Sequence, residues 1–362
     1  MKRLKAQLIL ATGEQFAGYV PAFQNQAYYG EVVFNTGMVG YIESLTDPSY
    51  AGQILIFTYP LIGNYGVPSP DHWESKKIHV KGVVMSELAP HYANHTAKQS
   101  LLDWLQAEHI PYIVDVDTRA VTTTLRAQGV TPGVIRPETM TDLPHFEEFG
   151  NIHWVKEVSI KAPQYYGKET DKLIIVVDCG IKENILRCLQ NFPMRIKCVP
   201  YNYDYSNEAF DGVFISNGPG DPKHCTETIE ILKKAFVKQK PIFGICLGTQ
   251  LMALAAGAIT YKLPFGHRSH NQPCMDLSSK RCFLTSQNHS YAVDEKTLTT
   301  DWRVSFRNLN DQSIEGIEHT HLPFFAVQFH PEAAPGPMDT QWLFQKFYDL
   351  ICYHHEKIKH AI

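Results

Sequence analysis

The sequence lacks several patterns that would assign it to a common functional class. None of its eight cysteines belongs to a C-x-x-C pair, so neither a zinc ribbon nor a dithiol redox site is indicated. No apolar run approaches the roughly 18 residues of a membrane span, and no P-loop or kinase motif is present. The net charge of −4 provides no basic surface for nucleic acid. We therefore expect no metal site in this chain and neither a membrane nor a nucleic acid as its partner.

The amino-acid composition is that of an ordinary globular protein. Hydrophobic residues make up 44% and charged residues 19% of the chain. A length of 362 residues favours two domains, each large enough for its own core. The start of the chain is basic, but the apolar stretch at residues 8–11 is too short for a secretory signal.

Cys246 is the most informative residue of the chain. It lies between Gly244 and Gly248, directly after the apolar run at residues 241–245 and before a helical stretch at residues 249–256. A strand, a sharp turn that carries a nucleophile and then a helix are the parts of a nucleophile elbow. The glycines are needed because a Cβ beside the nucleophile would collide with the neighbouring strand and helix. Since a reactive thiol works best where thiols stay reduced, we expect a cytoplasmic protein.

The best candidate for the base that serves this thiol is His330. It ends the apolar run at residues 324–329, and the ends of such strands are where ligands bind in open α/β sheets. Glu332 is two residues further on, so in an extended chain the two side chains point the same way. The carboxylate can then orient the imidazole and stabilise its charged form. A lone cysteine after an apolar run is usually a core residue, but this combination favours a Cys-His-Glu triad.

A third segment could supply the oxyanion hole. Residues 212–222 read as a strand followed by a Gly-Pro-Gly turn. The backbone amides of Gly218 and Leu247 could together bind the negative oxygen of a tetrahedral intermediate. A Gly-Pro-Gly sequence alone is usually just a turn, but its position one strand before the nucleophile strand strengthens the interpretation.

These three segments together resemble the class I glutamine amidotransferase family over about residues 172–362. The resemblance implies that Cys246 attacks the side-chain amide of glutamine and that ammonia leaves from a glutamyl thioester. It also implies that His330 transfers the proton and that Glu332 supports His330. The residues that the resemblance places around the bound glutamine are Gly218, Gly220, Leu247, Gln250, Asn288, Ser290 and Tyr291.

The first half of the chain indicates which kind of glutamine amidotransferase the sequence resembles. Residues 30–41, 45–53 and 58–66 are similar to the amino-terminal domain of the small-subunit family of carbamoyl phosphate synthases, as are residues 117–120. The resemblance then spans essentially the whole chain, and other amidotransferases lack this domain. It implies that Ser49, in an Asp-Pro-Ser turn, contacts the glutamine. From the sequence alone, Ser49 is an ordinary turn serine.

The resemblance also implies a partner. Ammonia would pass to a separate large subunit, which uses ATP, Mg and bicarbonate to make carbamoyl phosphate for arginine or pyrimidine biosynthesis. We expect no cofactor in this chain and a heterodimer or a higher oligomer. Two alternatives stay open at this stage, since a triad does not fix the substrate. One is a stand-alone cysteine hydrolase of peptides or γ-glutamyl compounds, and the other is a non-catalytic regulatory subunit, against which the intact triad argues.

Three residues depart from the family pattern. Thr249 stands where a histidine commonly follows the elbow glycine, and Ser269 and Ser290 stand where glycine is usual. Serine can replace a glycine that acts through its backbone amide, provided that its φ is not positive. The effect of the three departures on rate and affinity is left open by the sequence.

The order of the predicted elements indicates an α/β fold. In the second half, strands alternate with helices, which implies a mostly parallel sheet with helices on both faces. The pattern becomes richer in strands at residues 282–329, and a closing helix follows at about 339–354. The first half is expected to be a mixed α/β domain with helices at 100–108 and after residue 117. The predicted domains are residues 1–150 and 172–362, joined by a connector at 151–171.

Overall fold

The computed structural model describes residues 3–140, 146, 152–167 and 172–361, with no side chains described beyond residue 356. The chain forms two compact units. The first extends to Ile152 and includes Pro264–Ser269, and the second consists of His153–Leu263 together with the chain from His270 onward. Gly150, Asn151 and Asp171, where the predicted domain boundaries fall, lie outside the described residues.

The first unit combines many strands with short helices. Its strands are β1 (Arg3–Leu10), β2 (Gln15–Pro21), β3 (Tyr28–Asn35), β4 (Gln53–Phe57), β5 (Leu61–Ile62), β6 (Val67–Pro68), β7 (Gly82–Val84), β8 (Glu87–Leu88), β9 (Ala97–Gln99), β10 (Tyr112–Ile113) and β11 (Thr131–Pro137). Its helices are α1 (Tyr41–Thr46), α2 (Leu101–Ala107) and α3 (Thr118–Gln128).

The main sheet of the first unit has the strand order β10-β7-β4-β3-β11-β1-β2. Its first four strands are parallel, and β11, β1 and β2 are antiparallel to their neighbours. Tyr19 of β2 and Val114, just after β10, exchange two backbone hydrogen bonds of 2.9 Å, so the two ends of the sheet meet. One apolar cluster includes Leu8 and Ile54, and the opposite face of the parallel strands packs on α1 and α2.

Two predicted helices of this unit, α2 and α3, each begin directly after a residue whose side chain caps the helix. Ser100 accepts a hydrogen bond from the backbone N–H of Asp103 at the start of α2, and Asp117 accepts one from Ala120 at the start of α3. Ser49 lies in a short 3₁₀ turn and is 7% exposed. Its backbone N–H donates to the Asp47 carboxylate at 2.8 Å, which fixes the turn.

The second unit contains one large sheet. Its strands are β12 (Gln164–Gly167), β13 (Leu173–Asp178), β14 (Arg195–Pro200), β15 (Gly212–Ile215), β16 (Ile242–Ile245), β17 (Thr260–Asp276, apart from Pro264–Ser269, which belong to the first unit), β18 (Cys282–Val293), β19 (Trp302–Asn308), β20 (Ile314–His319) and β21 (Phe324–Val327). Its helices are α4 (Trp154–Val158), α5 (Glu183–Gln190), α6 (Thr226–Val237), α7 (Leu247–Ala255) and α8 (Trp342–Ala361).

The sheet of the second unit has the order β12-β14-β13-β15-β16-β21-β20-β19-β17-β18. The central strands β14, β13, β15, β16 and β21 are parallel, while β12, β20 and β19 join antiparallel. Val213 packs in the cluster that contains residues of α6 and α7, and Phe214 packs in the one that contains residues of α5 and α8. Apolar side chains on both faces are typical of parallel strands covered by helices. The predicted α/β class is confirmed.

One predicted strand is shorter than expected. β21 ends at Val327, three residues before His330, because the backbone leaves β20 after Gln328 and His330 pairs with Ser286 of β18. Gln328 donates to the carbonyl of Glu315, and His330 donates to the carbonyl of Ser286, both at 2.9 Å. Within the described part of the chain, no helix combines the length and the apolar character that crossing a membrane requires.

Candidate active site

Cys246 lies at the turn between β16 and α7 and has φ 54° and ψ −104°. A positive φ is uncommon for a residue with a Cβ and indicates a strained, functional position. The turn also needs its glycines. A Cβ on Gly244 would lie 2.8 Å from the Sδ of Met252, and one on Gly248 would collide with the carbonyl of Ile215. The geometry of a nucleophile elbow, expected from the sequence, is present.

His330 and Glu332 form a buried pair. Nδ1 of His330 lies 2.6 Å from Oε1 of Glu332, and the two side chains are 2% and 0% exposed. Burial disfavours the charged imidazole, but the charges of Glu332 and Cys246 outweigh it and raise the pKa of His330 to about 10. Because Nδ1 is engaged by the carboxylate, Nε2 is the nitrogen left to exchange a proton with the thiol.

Lys182 is a further member of this site that the sequence analysis missed. Its Nζ donates to Oε1 of Glu332 at 3.0 Å and to the carbonyl of Ala333 at 2.7 Å. Burial opposes ionisation of Glu332, but Lys182 and then His330 overcome it and lower the pKa of the carboxyl to about 2. Glu332 is therefore an anion at neutral pH. No sequence signal connects Lys182 with Glu332, since 150 residues separate them.

The two predicted oxyanion residues lie on adjacent segments. Gly218 follows β15, and Leu247 is the first residue of α7. A Cβ on Gly218 would lie 2.8 Å from Cδ2 of Leu247 and would collide with the carbonyl of Cys179. Only glycine fits at this position, so the backbone of the Gly-Pro-Gly turn approaches the elbow closely.

Two of the predicted glutamine-binding residues of β18, Asn288 and Tyr291, accept hydrogen bonds from the elbow and its helix. Sγ of Cys246 donates to the carbonyl of Asn288 at 3.5 Å. Nε2 of Gln250 donates to the carbonyl of Tyr291 at 2.9 Å and to Oε1 of Gln328 at 3.1 Å. The amide nitrogen of Gln250 is thus held by the protein. Whether Gln250 contacts a substrate stays a prediction.

The backbone accommodates the two serines that depart from the family pattern. Neither Ser269 nor Ser290 is among the residues with a positive φ, so serine is compatible with the backbone at both. Thr249 is completely buried in α7. Ser269 belongs to the first unit, as does Ser49, whereas the other predicted site residues belong to the second.

This arrangement has the parts of an acyl-transfer site that works through a thioester. A thiol lies on a strained turn, a buried histidine has one nitrogen fixed by a carboxylate, and a glycine turn packs against the first residue of the elbow helix. Such parts are suited to the roles of nucleophile, base, orienting group and oxyanion donors.

Comparisons with known proteins agree with this geometry. Residues 175–350 match the family described as glutamine amidotransferase class-I, and residues 8–135 match the carbamoyl-phosphate synthase small chain, CPSase domain. The chain is 50% identical over 337 residues to the carbamoyl phosphate synthase arginine-specific small chain of Neosartorya fischeri, covering 89% of this chain and 74% of that protein. It is 47% identical to the protein of the same name from Debaryomyces hansenii, covering 96% and 85%. It is 45% identical to multifunctional protein pyr1-3 of Dictyostelium discoideum, covering 97% of this chain and 17% of that protein.

Proposed function

This chain belongs to the family of carbamoyl phosphate synthase small chains, and we propose that it hydrolyses glutamine and delivers the ammonia to a large synthase subunit. The observation that carries the proposal is the buried contact of His330 with Glu332 beside a cysteine on a strained elbow. The reaction is an acyl transfer in which the cysteine is the nucleophile and water is the final acceptor.

The proposed chemistry begins when Nε2 of His330 takes the proton of the Cys246 thiol and the thiolate forms a C–S bond to the carboxamide carbon of glutamine. The electron pair of the carbonyl moves to its oxygen, which the backbone N–H groups of Gly218 and Leu247 stabilise. As the intermediate collapses, the C–N bond breaks and Nε2 of His330 gives its proton to the leaving nitrogen, so ammonia departs. Water then attacks the thioester and His330 accepts its proton; the C–S bond breaks, glutamate is released, and the proton on His330 returns to the sulfur to restore the thiol.

Glu332 keeps its negative charge throughout the proposed reaction. Its carboxylate holds the Nδ1 proton of His330 and so keeps Nε2 directed at the reacting atoms. The ion pair with buried Lys182 maintains the carboxylate in a site where burial alone would favour protonation.

We assign the binding of glutamine to the residues that the family resemblance indicates. The close approach of Gly218 to Leu247 and the contacts of Gln250 and Asn288 within the same unit support the assignment. The proposed glutamine contacts are Ser49, Gly218, Gly220, Leu247, Gln250, Asn288, Ser290 and Tyr291.

The partner in this proposal is a large subunit that uses ATP, Mg and bicarbonate, while this chain needs no cofactor of its own. Support comes from the names of the relatives, which denote small chains. We propose a heterodimer in the cytoplasm, where the thiol stays reduced. The arginine-specific names favour arginine biosynthesis, and pyrimidine biosynthesis is the alternative assignment.

The decisive experiment compares two nitrogen sources in the complex of this chain with its large subunit. Cys246→Ser should abolish glutamine-dependent carbamoyl phosphate formation and leave ammonia-dependent formation largely intact, because the thiol is needed only to release ammonia. Loss of both activities in an assembled complex would contradict the assignment. A stand-alone hydrolase would instead show the same glutaminase rate with and without the large subunit.

A further inference from the structure

Helix α4 and the residues after it precede the part of the chain that matches the amidotransferase family. The match begins at residue 175, whereas the second unit begins at His153. Segment 153–160, which contains α4, nevertheless contacts two loops of the active site. These contacts give the segment a part in the proposed glutamine hydrolysis, on which this inference rests.

The first contact joins Trp154 to the glycine turn. Gly220 has φ 87°, and a Cβ added to it would lie 3.3 Å from Cδ1 and 3.5 Å from Cβ of Trp154. The Trp154 side chain therefore packs on the backbone of Gly220. At the other end of the turn, Gly218 packs against the carbonyl of Cys179 and the side chain of Leu247. The turn is held between the indole and the elbow helix.

The second contact ties the end of segment 153–160 to the loop after β13. The carboxylate of Asp178 accepts from the backbone N–H of Ile160 at 2.7 Å through one oxygen, and from Gly180 and Ile181 at 2.7 Å through the other. The hydroxyl of Ser159 donates to the carbonyl of Asp178 at 2.6 Å. Asp178 and Ser159 are buried, so these bonds fix the position of α4.

The loop after β13 is in turn joined to the glycine turn. The backbone N–H of Cys179 donates to the hydroxyl of Ser216 at 2.9 Å. The backbone N–H of Lys182 donates to Oδ1 of Asn217 at 3.1 Å. Asn217 directly precedes Gly218, so the anchored loop restrains the same turn from the side opposite Gly220.

We propose that Trp154 is a positioning residue for glutamine hydrolysis, because its indole fixes the Gly218-Pro219-Gly220 turn and with it the backbone N–H of Gly218. The turn has no side chain of its own at Gly218 or Gly220 with which to pack. The indole of Trp154 therefore holds the Gly220 end of the turn, while Leu247 and the loop after β13 hold the Gly218 end. An error of about 1 Å in the placement of such a donor can cost about a hundredfold in rate.

The test uses the complex with the large subunit and two reactions of Cys246. Hydrolysis of glutamine passes through an oxyanion, whereas alkylation by iodoacetamide forms a C–S bond at a saturated carbon, releases iodide and forms no oxyanion. Trp154→Ala should lower kcat for glutamine hydrolysis by about tenfold to a hundredfold, with a smaller change in KM. The rate of alkylation at Cys246, followed by mass spectrometry of its peptide, should stay within about twofold of the wild-type rate.

Two further variants complete the design. Trp154→Phe keeps a ring over Gly220 and should retain kcat within about threefold of the wild type. Trp342→Ala is the matched control, because Trp342 is 41% exposed on α8, and it should leave both rates unchanged. If Trp154→Ala does not assemble, Trp154→Leu replaces it, with the same expected separation of the two rates.

A kcat for Trp154→Ala or Trp154→Leu within about twofold of the wild type would overturn the proposal. An equal fall in hydrolysis and alkylation would also overturn it, since the lesion would then affect the thiol rather than the oxyanion donor. Wild-type protein that is alkylated but does not hydrolyse glutamine would instead refute the proposed function, and this inference with it.

Discussion

Lys182 and His330 share one oxygen of Glu332. Nζ of the lysine lies 3.0 Å and Nδ1 of the histidine lies 2.6 Å from Oε1. The other oxygen, Oε2, is buried and has no hydrogen-bond partner in the described part of the chain. Oε1 of Glu332 thus links His330 to the buried ammonium group of Lys182. A substitution of either residue should therefore change the hydrogen bonding of the other.

The ion pair should matter for stability. Lys182→Met removes one of the two cations that face the buried carboxylate of Glu332, and breaking a buried pair in this way costs about 3–5 kcal/mol in the free energy of unfolding. Urea denaturation measures the loss. The control is Lys234→Met, which removes an ion pair with Asp204 whose side chains are 56% and 44% exposed and should cost less than about 1 kcal/mol. Similar losses for the two variants would contradict the role given to Lys182.

The triad members should differ in their effect on rate. We expect Glu332→Gln to be milder than His330→Asn in glutaminase assays, because the carboxylate orients and charges the base but does not move the proton itself. Loss of a general base typically costs about a hundredfold to ten-thousandfold in rate. Equal losses in kcat for the two variants would remove this division of roles.

The high pKa of His330 predicts a pH-dependent contribution to stability. The folded value of about 10 exceeds the ordinary value of 6.5, so folding favours the charged imidazole. The contribution is present in full below pH 6.5 and is lost as the pH rises through about 10. The difference in free energy of unfolding between the wild type and His330→Asn should therefore shrink between about pH 7 and about pH 10. A difference that stays constant over this range would refute the assignment.

Substitution of Ser290, where glycine is usual in the family, should show whether its backbone amide or its hydroxyl binds glutamine. If its backbone amide binds glutamine, Ser290→Ala should change KM by less than about tenfold, which corresponds to roughly 1.4 kcal/mol. Alanine removes the hydroxyl but keeps the Cβ and its backbone preferences, and Ser290→Gly serves as the comparison. A large rise in KM for the alanine variant would show that the hydroxyl itself makes a bond to the substrate.

Features set by neighbouring residues could be predicted from the sequence. The turn at Cys246 follows from its flanking glycines, and the helices at 118–128 and 101–107 follow from Asp117 and Ser100. In each case the cause lies within a few positions of the feature.

Features that depend on distant residues could not be predicted in this way. Lys182 reaches Glu332 only because β13 and β21 lie in one sheet. Trp154 lies in the region predicted to be a connector, where weak periodicity gave no sign that its indole would pack on Gly220. The bond of Gln250 to Tyr291 likewise depends on the place of β18 in the sheet, and the sequence does not specify the pairing of that strand.

The closure of the first unit's sheet has a consequence for the newly made chain. Until Tyr19 pairs with Val114, β2 and β10 each present unpaired backbone groups, and such edges can pair with other chains. β2 is synthesised long before β10, and β11, which comes later still, must insert between β3 and β1. Contacts between residues so far apart form slowly. The interval before closure therefore leaves these edges open to aggregation, and a chaperone that binds the chain during that interval would protect them.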